Sequence, residues 1–94
     1  MARYRIIRWK EIPALVEAWD AERTVRMPLS QRFQDLIDAV AMRQGASESE
    51  AYLEGWIPDP ETERPGDAEP VADAVAAELE STFGDFVDRY LGSR

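Results

Sequence analysis

The chain contains no cysteine and no histidine. The missing cysteines exclude disulfides, thiolate nucleophiles and cysteine-ligated metals, and the missing histidines exclude catalytic triads and ordinary zinc sites. Catalysis would have to use carboxylates, Lys10, tyrosines or a borrowed cofactor, and a small domain has little volume in which to desolvate such groups and shift their pKa values. We therefore expect a binding or accessory module that is not a self-contained enzyme, with no cofactor and no metal site.

Long apolar runs are also missing, and no apolar signal region is present. The sequence therefore predicts no membrane span and a cytoplasmic location. Its 94 residues fit one domain with a single core. A hydrophobic content of 45% is too high for a disordered chain, so we expect it to fold.

Positive charge is scarce in the second half of the chain. Residues 1–43 hold eight Arg or Lys and six Asp or Glu, whereas residues 44–94 hold three and thirteen, and the net charge is −8. Phosphates would be repelled by the acidic half, which argues against nucleic acid as the principal ligand. The same charge either attracts a basic partner surface or serves only to keep the protein in solution.

The first third of the chain predicts strands. Residues 3–9 (RYRIIRW) are rich in β-branched and aromatic side chains, as is typical of a strand. In residues 24–29, apolar Val25, Met27 and Leu29 alternate with other side chains, which predicts a second strand.

Residues 14–19 allow two interpretations. The apolar spacing of residues 12–19, with Pro13 as a first helical residue, favours a short helix. Against a helix, no Gly or Asn ends it after Trp19, whereas a strand could form a hairpin through a turn at residues 20–23. We favour the strand, which gives a three-stranded antiparallel meander.

Two helices follow in the prediction. Ser30 is placed as the N-cap of a helix that ends at Gln44-Gly45. Ser47, with Glu50 three residues later, forms a capping box that opens a second, shorter helix. The apolar residues of the two helices are Phe33, Leu36, Ile37, Val40 and Ala41 in the first and Tyr52, Leu53 and Trp56 in the second.

The rest of the chain predicts a linker and a C-terminal helix. Residues 58–70 are rich in proline and acidic side chains with almost nothing apolar, which predicts an extended linker. Residues 71–92 carry an apolar stripe typical of a long amphipathic helix, with a possible break at Phe83-Gly84-Asp85. This helix could pack on its own core or on a partner. The predicted fold is thus α+β, with residues 1–57 forming a small sheet and two to three helices packed on one face.

The segments WKEIPA (residues 9–14), LSQRFQDLIDAVAMR (29–43) and AYLEGW (51–56) resemble a small bacterial domain family named after the conserved virulence factor C type of protein. The resemblance covers about residues 3–56. It supports a strand over a helix for residues 14–19. It also implies an accessory subunit of a multi-protein enzyme, associated with corrinoid- and folate-linked methyl transfer, and it brings no catalytic residues. The matching positions are Trp9, Lys10, Ile12, Pro13, Arg32, Phe33, Ile37, Asp38, Met42, Tyr52, Leu53 and Trp56.

Our main functional hypothesis is a protein-binding surface, because Trp and Tyr supply much of the binding energy at protein interfaces. The competing interpretation places these aromatic side chains in the core, and pairs Arg32 with a carboxylate inside the domain because a positive charge is unfavourable at a helix N-terminus. The oligomeric state stays open. The expected partner-binding residues are Trp9, Lys10, Ile12, Pro13, Arg32, Tyr52 and Trp56.

Two alternatives belong to other functional classes. In the first, Lys10, Arg32, Asp38 and Tyr52 converge in a small-ligand or catalytic pocket. In the second, a basic sheet face binds single-stranded nucleic acid by stacking on Tyr4 and Trp9, although the same arginines could instead pair with carboxylates. The arginines of that face would be Arg3, Arg5, Arg8, Arg23 and Arg26.

Overall fold

The computed structural model describes residues 1–45 and 49–92, so the capping box predicted at Ser47 lies outside the described residues. The elements follow one another along the chain as β1 (Ala2–Trp9), β2 (Ile12–Trp19), β3 (Thr24–Pro28), α1 (Gln31–Arg43), α2 (Ser49–Glu54), β4 (Trp56–Pro58), β5 (Thr62–Arg64), α3 (Ala68–Glu80) and α4 (Phe83–Leu91).

The strands form one antiparallel sheet in the order β3-β2-β1-β4, with β5 also paired to β1. The predicted α+β class and the meander of β1, β2 and β3 are confirmed, and residues 14–19 form a strand. The predicted number of strands is wrong, because the sheet has five. Strand β4 begins at Trp56, which was predicted to lie in the second helix, and β5 lies in the predicted linker. They join the sheet through backbone hydrogen bonds, which leave no apolar pattern in the sequence.

One face of the sheet carries the core. Strand residues on this face form a single buried cluster with apolar residues of α1 and α3. Helix α3 lies against β1, β2 and β3. The cluster includes Ile6, Val16 and Ala18 from the sheet, Phe33, Leu36, Ile37 and Val40 from α1, and Ala68, Val71, Ala72 and Val75 from α3.

Asp20 connects the β2–β3 turn to the start of α3. Its Oδ1 accepts hydrogen bonds from the backbone N–H groups of Glu22 and Arg23, and its Oδ2 accepts one from Ala68 N–H at 2.9 Å. The last bond satisfies a free donor at the first residue of α3, so the helix begins at Ala68 rather than after Pro70. These bonds also lower the pKa of Asp20, with the bond from Ala68 contributing most.

The C-terminal stripe forms two helices rather than one. The break comes at Ser81 and Thr82, before the predicted position at Gly84. Both hydroxyls donate to carbonyls three residues back, Ser81 to Glu78 and Thr82 to Leu79. Such side-chain bonds compete with the helical backbone pattern and end α3 there. No helix in the described part of the chain is long and apolar enough to cross a membrane.

Candidate interaction surfaces

Trp9 belongs to an aromatic cluster formed by the end of β1, α2 and the start of β4. Its indole Nε1–H donates to the backbone carbonyl of Tyr52 at 2.7 Å. The ring of Tyr52 lies between the two tryptophans, with centroids 5.8 Å from Trp9 and 5.9 Å from Trp56. Gly55 allows this approach, because a Cβ there would lie 2.5 Å from Trp9 Nε1. The cluster therefore fastens α2 and β4 to the sheet.

Lys10 forms the turn between β1 and β2 in a left-handed conformation, with φ of 55°. Its backbone N–H donates to Gly55 O, and its ammonium donates to Gln44 Oε1 at 2.6 Å. The same ammonium lies 5.0 Å from the centroid of the Trp9 ring. Lys10 thus holds the aromatic cluster against the end of α1.

Three of the predicted partner-binding residues are part of the core. Trp9, Ile12 and Pro13 are fully buried, so their side chains cannot contact a partner in this fold. Tyr52 and Trp56 are half-buried and pack against the core, and Lys10 is exposed beside them. Trp9, Ile12 and Pro13 therefore stabilise the domain rather than form a surface.

Arg32 forms the internal ion pair that the competing interpretation expected. Its guanidinium donates to the Glu80 carboxylate at 3.1 Å and to Glu80 O at 2.9 Å, and it lies over the Phe83 ring. The N–H and hydroxyl of Ser30 donate to the same carboxylate, so Ser30 ties α1 to α3 instead of capping α1 with its side chain. Desolvation opposes ionisation of Glu80, but the bonds from Ser30 and Arg32 outweigh it and lower its pKa.

Replacing Glu80 with glutamine should lower the free energy of unfolding by about 1 kcal/mol at neutral pH, because charge-assisted bonds to Arg32 and Ser30 are weakened. A lowered carboxyl pKa stabilises the fold above the unfolded value of 4.5, and this contribution is lost as the pH falls through the folded value. The difference from the unmodified chain should therefore vanish in acid, as urea unfolding at several pH values would measure. Glu69→Gln is the control, since its partner Arg23 lies at 3.5 Å and both are well exposed. An equal effect of both variants would contradict the assignment.

The four residues expected to line a small-ligand pocket do not lie together. Asp38 and Tyr52 line a shallow depression of about 320 Å³ with Ala41 and Met42. Lys10 lines a different one with Arg8, Glu11, Asp59, Phe86 and Arg89, and Arg32 is paired with Glu80. Among the described residues, no three His, Cys, Asp or Glu side chains are grouped to hold a metal ion.

The residues expected to bind nucleic acid are also arranged differently. Each of the five arginines has a carboxylate within 4 Å. Of the two aromatic side chains expected to stack on bases, Trp9 is fully buried and Tyr4 packs against the core. The arginine partners are Glu61 and Glu63 for Arg3, Glu17 for Arg5 and Arg26, Asp59 for Arg8, and Glu69 for Arg23.

The sheet has a second face, opposite the core cluster. Residues that pair across antiparallel strands share a face. Ile7 pairs with Leu15, and Glu17 lies between its pairing partners Arg5 and Arg26. We call this surface the open sheet face. It includes Arg3, Arg5, Ile7, Leu15, Glu17, Trp19 and Arg26, together with their pairing partners Thr24, Pro28, Pro58 and Glu63.

The apolar side chains of the open sheet face have no cover from the described helices. Ile7, Leu15 and Trp19 are half-buried, and none of them belongs to the described core cluster or packs against it. The apolar side chains of α3 and α4 that reach the interior all pack with that cluster instead. The face therefore presents aliphatic and indole surface beside charged groups.

Glu17 organises the charges of this face. Arg5 Nε donates to Glu17 Oε1 at 2.7 Å, and Arg26 Nε lies 3.5 Å from Oε2. The Arg5 guanidinium lies 5.7 Å from the centroid of the Trp19 ring. Only 14% of the Glu17 side chain is exposed, against 65% for Arg26. One carboxylate thus pairs with two arginines, and Arg26 is more exposed than Arg5, whose side chain is 40% exposed.

A family model described as Virulence factor matches residues 7–86. The chain belongs to the virulence factor family. The match confirms the resemblance from residue 7 onwards and extends it beyond residue 56 through β4, β5 and α3 into α4. No curated protein and no solved structure gives a significant match.

For this virulence factor domain, sequence reasoning missed the open sheet face as a candidate site. The helical spacing groups Leu15 and Trp19 with Val16, whereas in the strand Val16 lies on the core face and the other two lie on the opposite face. The signal was the alternation of Leu15, Glu17 and Trp19 with Val16 and Ala18, which becomes informative only once residues 14–19 are assigned as a strand.

Proposed function

We propose that this virulence factor domain is a non-catalytic accessory subunit that binds a protein partner through its open sheet face. The observation that carries the proposal is the presence of Ile7, Leu15 and Trp19 on a sheet face that the described helices do not cover. An antiparallel sheet usually presents polar side chains on a face that stays in water. A tryptophan flanked by aliphatic and arginine side chains is the composition that dominates binding energy at protein interfaces.

The proposed partner surface differs from the one expected from the sequence, which included Trp9, Ile12 and Pro13. Because Trp9, Ile12 and Pro13 are core residues, they support the surface only indirectly, by fixing the β1–β2 turn. Leu15 and Trp19 lie on β2, between β1 and β3, so both neighbours hold them in place. Side chains on a rigid strand bind with a smaller loss of conformational entropy than side chains on a loop.

The non-catalytic part of the proposal is supported by the arrangement of the reactive side chains. The residues considered for a catalytic pocket are distributed over separate shallow depressions. General acid–base catalysis needs such groups within hydrogen-bonding reach of one substrate. As the larger system, we propose a cytoplasmic multi-protein enzyme of corrinoid- or folate-linked methyl transfer, for which the family resemblance is the support.

Affinity capture with a Leu15→Glu variant tests the proposal. We expect the unmodified chain to retain a stoichiometric partner from its own cell extract and Leu15→Glu to lose it, because a buried unpaired carboxylate would oppose docking. Met42→Glu is the matched control, since Met42 is 71% exposed on α1 and lies outside the open sheet face. Circular dichroism would confirm that both variants fold.

Three outcomes of this capture are informative. Identification of a corrinoid- or folate-dependent methyltransferase subunit by mass spectrometry would support the proposed system. A partner retained equally by Leu15→Glu would refute the assigned surface. Loss of the partner in Met42→Glu alone would place the surface on the helical side instead.

A further inference from the structure

We infer that α4 is a hinged helix that opens as one unit about Ser81 and Thr82 while the rest of the domain stays folded, and that the Glu11 carboxylate holds it closed. Helix α4 packs on the side of the sheet that carries the core cluster. Its opening is therefore a property separate from binding at the open sheet face.

Helix α4 is attached to the domain less firmly than α3. Helix α3 buries four residues, and its two ends are fixed by Asp20 at Ala68 and by Ser30 and Arg32 at Glu80. None of the nine residues of α4 is buried, and the structure describes all nine. Its apolar side chains are half-buried and pack against the core cluster without being enclosed by it. Segments with little buried apolar surface open at a lower free energy than the core.

The start of α4 is the hinge end. The Phe83 ring lies 5.1 Å from the Phe33 ring of α1, and the Arg32 guanidinium lies 4.4 Å from the Phe83 centroid. Just before Phe83, the side chains of Ser81 and Thr82 bond to carbonyls of α3 and interrupt the helix. A short break between two helices is where a hinge absorbs changes in backbone angles.

The far end of α4 is held by one carboxylate in the β1–β2 turn. Glu11 Oε1 accepts hydrogen bonds from the Arg89 guanidinium at 2.8 Å and from the Tyr90 hydroxyl at 3.0 Å. These bonds lower the pKa of Glu11, with the bond from Tyr90 contributing most. Within the described part of the chain, the other side-chain hydrogen bond that joins α4 to the domain runs from Arg43 to Leu91 O and is longer, at 3.3 Å. We call Glu11, Arg89 and Tyr90 the latch.

A detached α4 would not stay helical. Isolated helices shorter than about 12 residues are marginal in water, and α4 has nine, with Gly84 in its first turn and no side-chain cap from Thr82. Its backbone amides would therefore exchange with solvent whenever the helix opens. Opening would also uncover the part of the core cluster that Phe86, Val87 and Leu91 pack against.

Hydrogen exchange of the full chain, followed residue by residue by NMR, tests this behaviour. We expect the amides of residues 87–91 to be at least about 30-fold less protected than those of residues 71–75 in α3, because α4 opens without global unfolding. Glu11→Gln should raise the exchange rates of α4 about fivefold, since it weakens bonds that are broken in the open state.

Glu78→Gln is the matched control for Glu11→Gln. Glu78 and Glu11 are exposed to nearly the same extent, and each bonds an arginine at 2.8 Å. The pair of Glu78 with Arg64 joins α3 to β5 and is kept when α4 opens. Its loss should therefore change the exchange rates of α4 by less than about 1.5-fold, even though the domain as a whole becomes less stable.

A second variant acts in the opposite direction. Gly84→Ala should slow the exchange of α4 about threefold, because alanine favours the helical conformation that is lost on opening. Equal acceleration of α4 by Glu11→Gln and Glu78→Gln would mean that α4 opens only when the whole domain unfolds, and would overturn the inference. Protection of α4 equal to that of α3, or no effect of Glu11→Gln on α4, would overturn it as well.

Discussion

Replacement of Trp9 by alanine should lower the free energy of unfolding by about 3–5 kcal/mol, because it removes a fully buried indole and leaves a cavity. It also leaves the carbonyl of Tyr52 without its 2.7 Å donor and removes the platform under the Lys10 ammonium. Domains of this size unfold with only about 5–15 kcal/mol, so the midpoint of thermal unfolding should fall by at least about 15 °C. Thermal and urea unfolding followed by circular dichroism would measure both quantities.

The control for Trp9 is the other tryptophan of the β1–β2 hairpin. Trp19→Ala removes an equal volume from the open sheet face, where the ring touches the Arg5 guanidinium and no core side chain. We expect it to lower the free energy of unfolding by less than about 1 kcal/mol and to weaken binding of the proposed partner. Similar losses of stability in both variants would show that the two faces of the sheet are packed alike, and would remove the basis of the proposed function.

Gly55→Ala should be nearly as damaging as loss of the indole itself. A Cβ at this position would lie 2.5 Å from Trp9 Nε1 and 2.6 Å from Cε2, closer than any real contact. The indole is fully buried and bonded to Tyr52 O, so it cannot move aside without breaking that bond. We expect a loss of about 3 kcal/mol in urea unfolding, with a shift in the fluorescence of the buried tryptophan.

Gly84→Ala is the matched control, and its effect should have the opposite sign. Gly84 lies in α4, where a Cβ would meet nothing within 4 Å. Alanine is favoured over glycine in a helix by about 0.5–1 kcal/mol, so this variant should be slightly more stable than the unmodified chain. A tolerated Gly55→Ala would mean that α2 and β4 are not held against Trp9 as described.

The candidate site around Trp9 could be predicted from the sequence only in part. The motif residues Trp9, Lys10, Tyr52 and Trp56 were expected to lie together, and they do. Their burial was the competing interpretation, and the sequence left it open against a surface, since an aromatic side chain has the same identity in a core and on a surface. It is decided by α2 and β4, which come back to the end of β1 from more than 40 residues along the chain.

The sequence by itself determined the properties that are local or additive. The alternation of side chains in β3, the cap position at Ser30 and the helix end at Gly45 depend on neighbouring residues, and each lies at or near its predicted place. Net charge and the absence of cysteine and histidine are sums over the chain. The motifs in residues 9–56 were enough to indicate the family.

Only the tertiary structure decided which aromatic side chains are buried and which face of the sheet stays uncovered. The pairing of β4 and β5 with β1, the bond from Asp20 to the start of α3, and the union of Ser30 and Arg32 on Glu80 all join residues far apart in the chain. Such contacts depend on shape and backbone hydrogen bonds, which leave little trace in the local pattern. Because the helices cover one face of the sheet, Trp9 becomes core, whereas Leu15 and Trp19, on the same hairpin, lie on the face that the described helices leave uncovered.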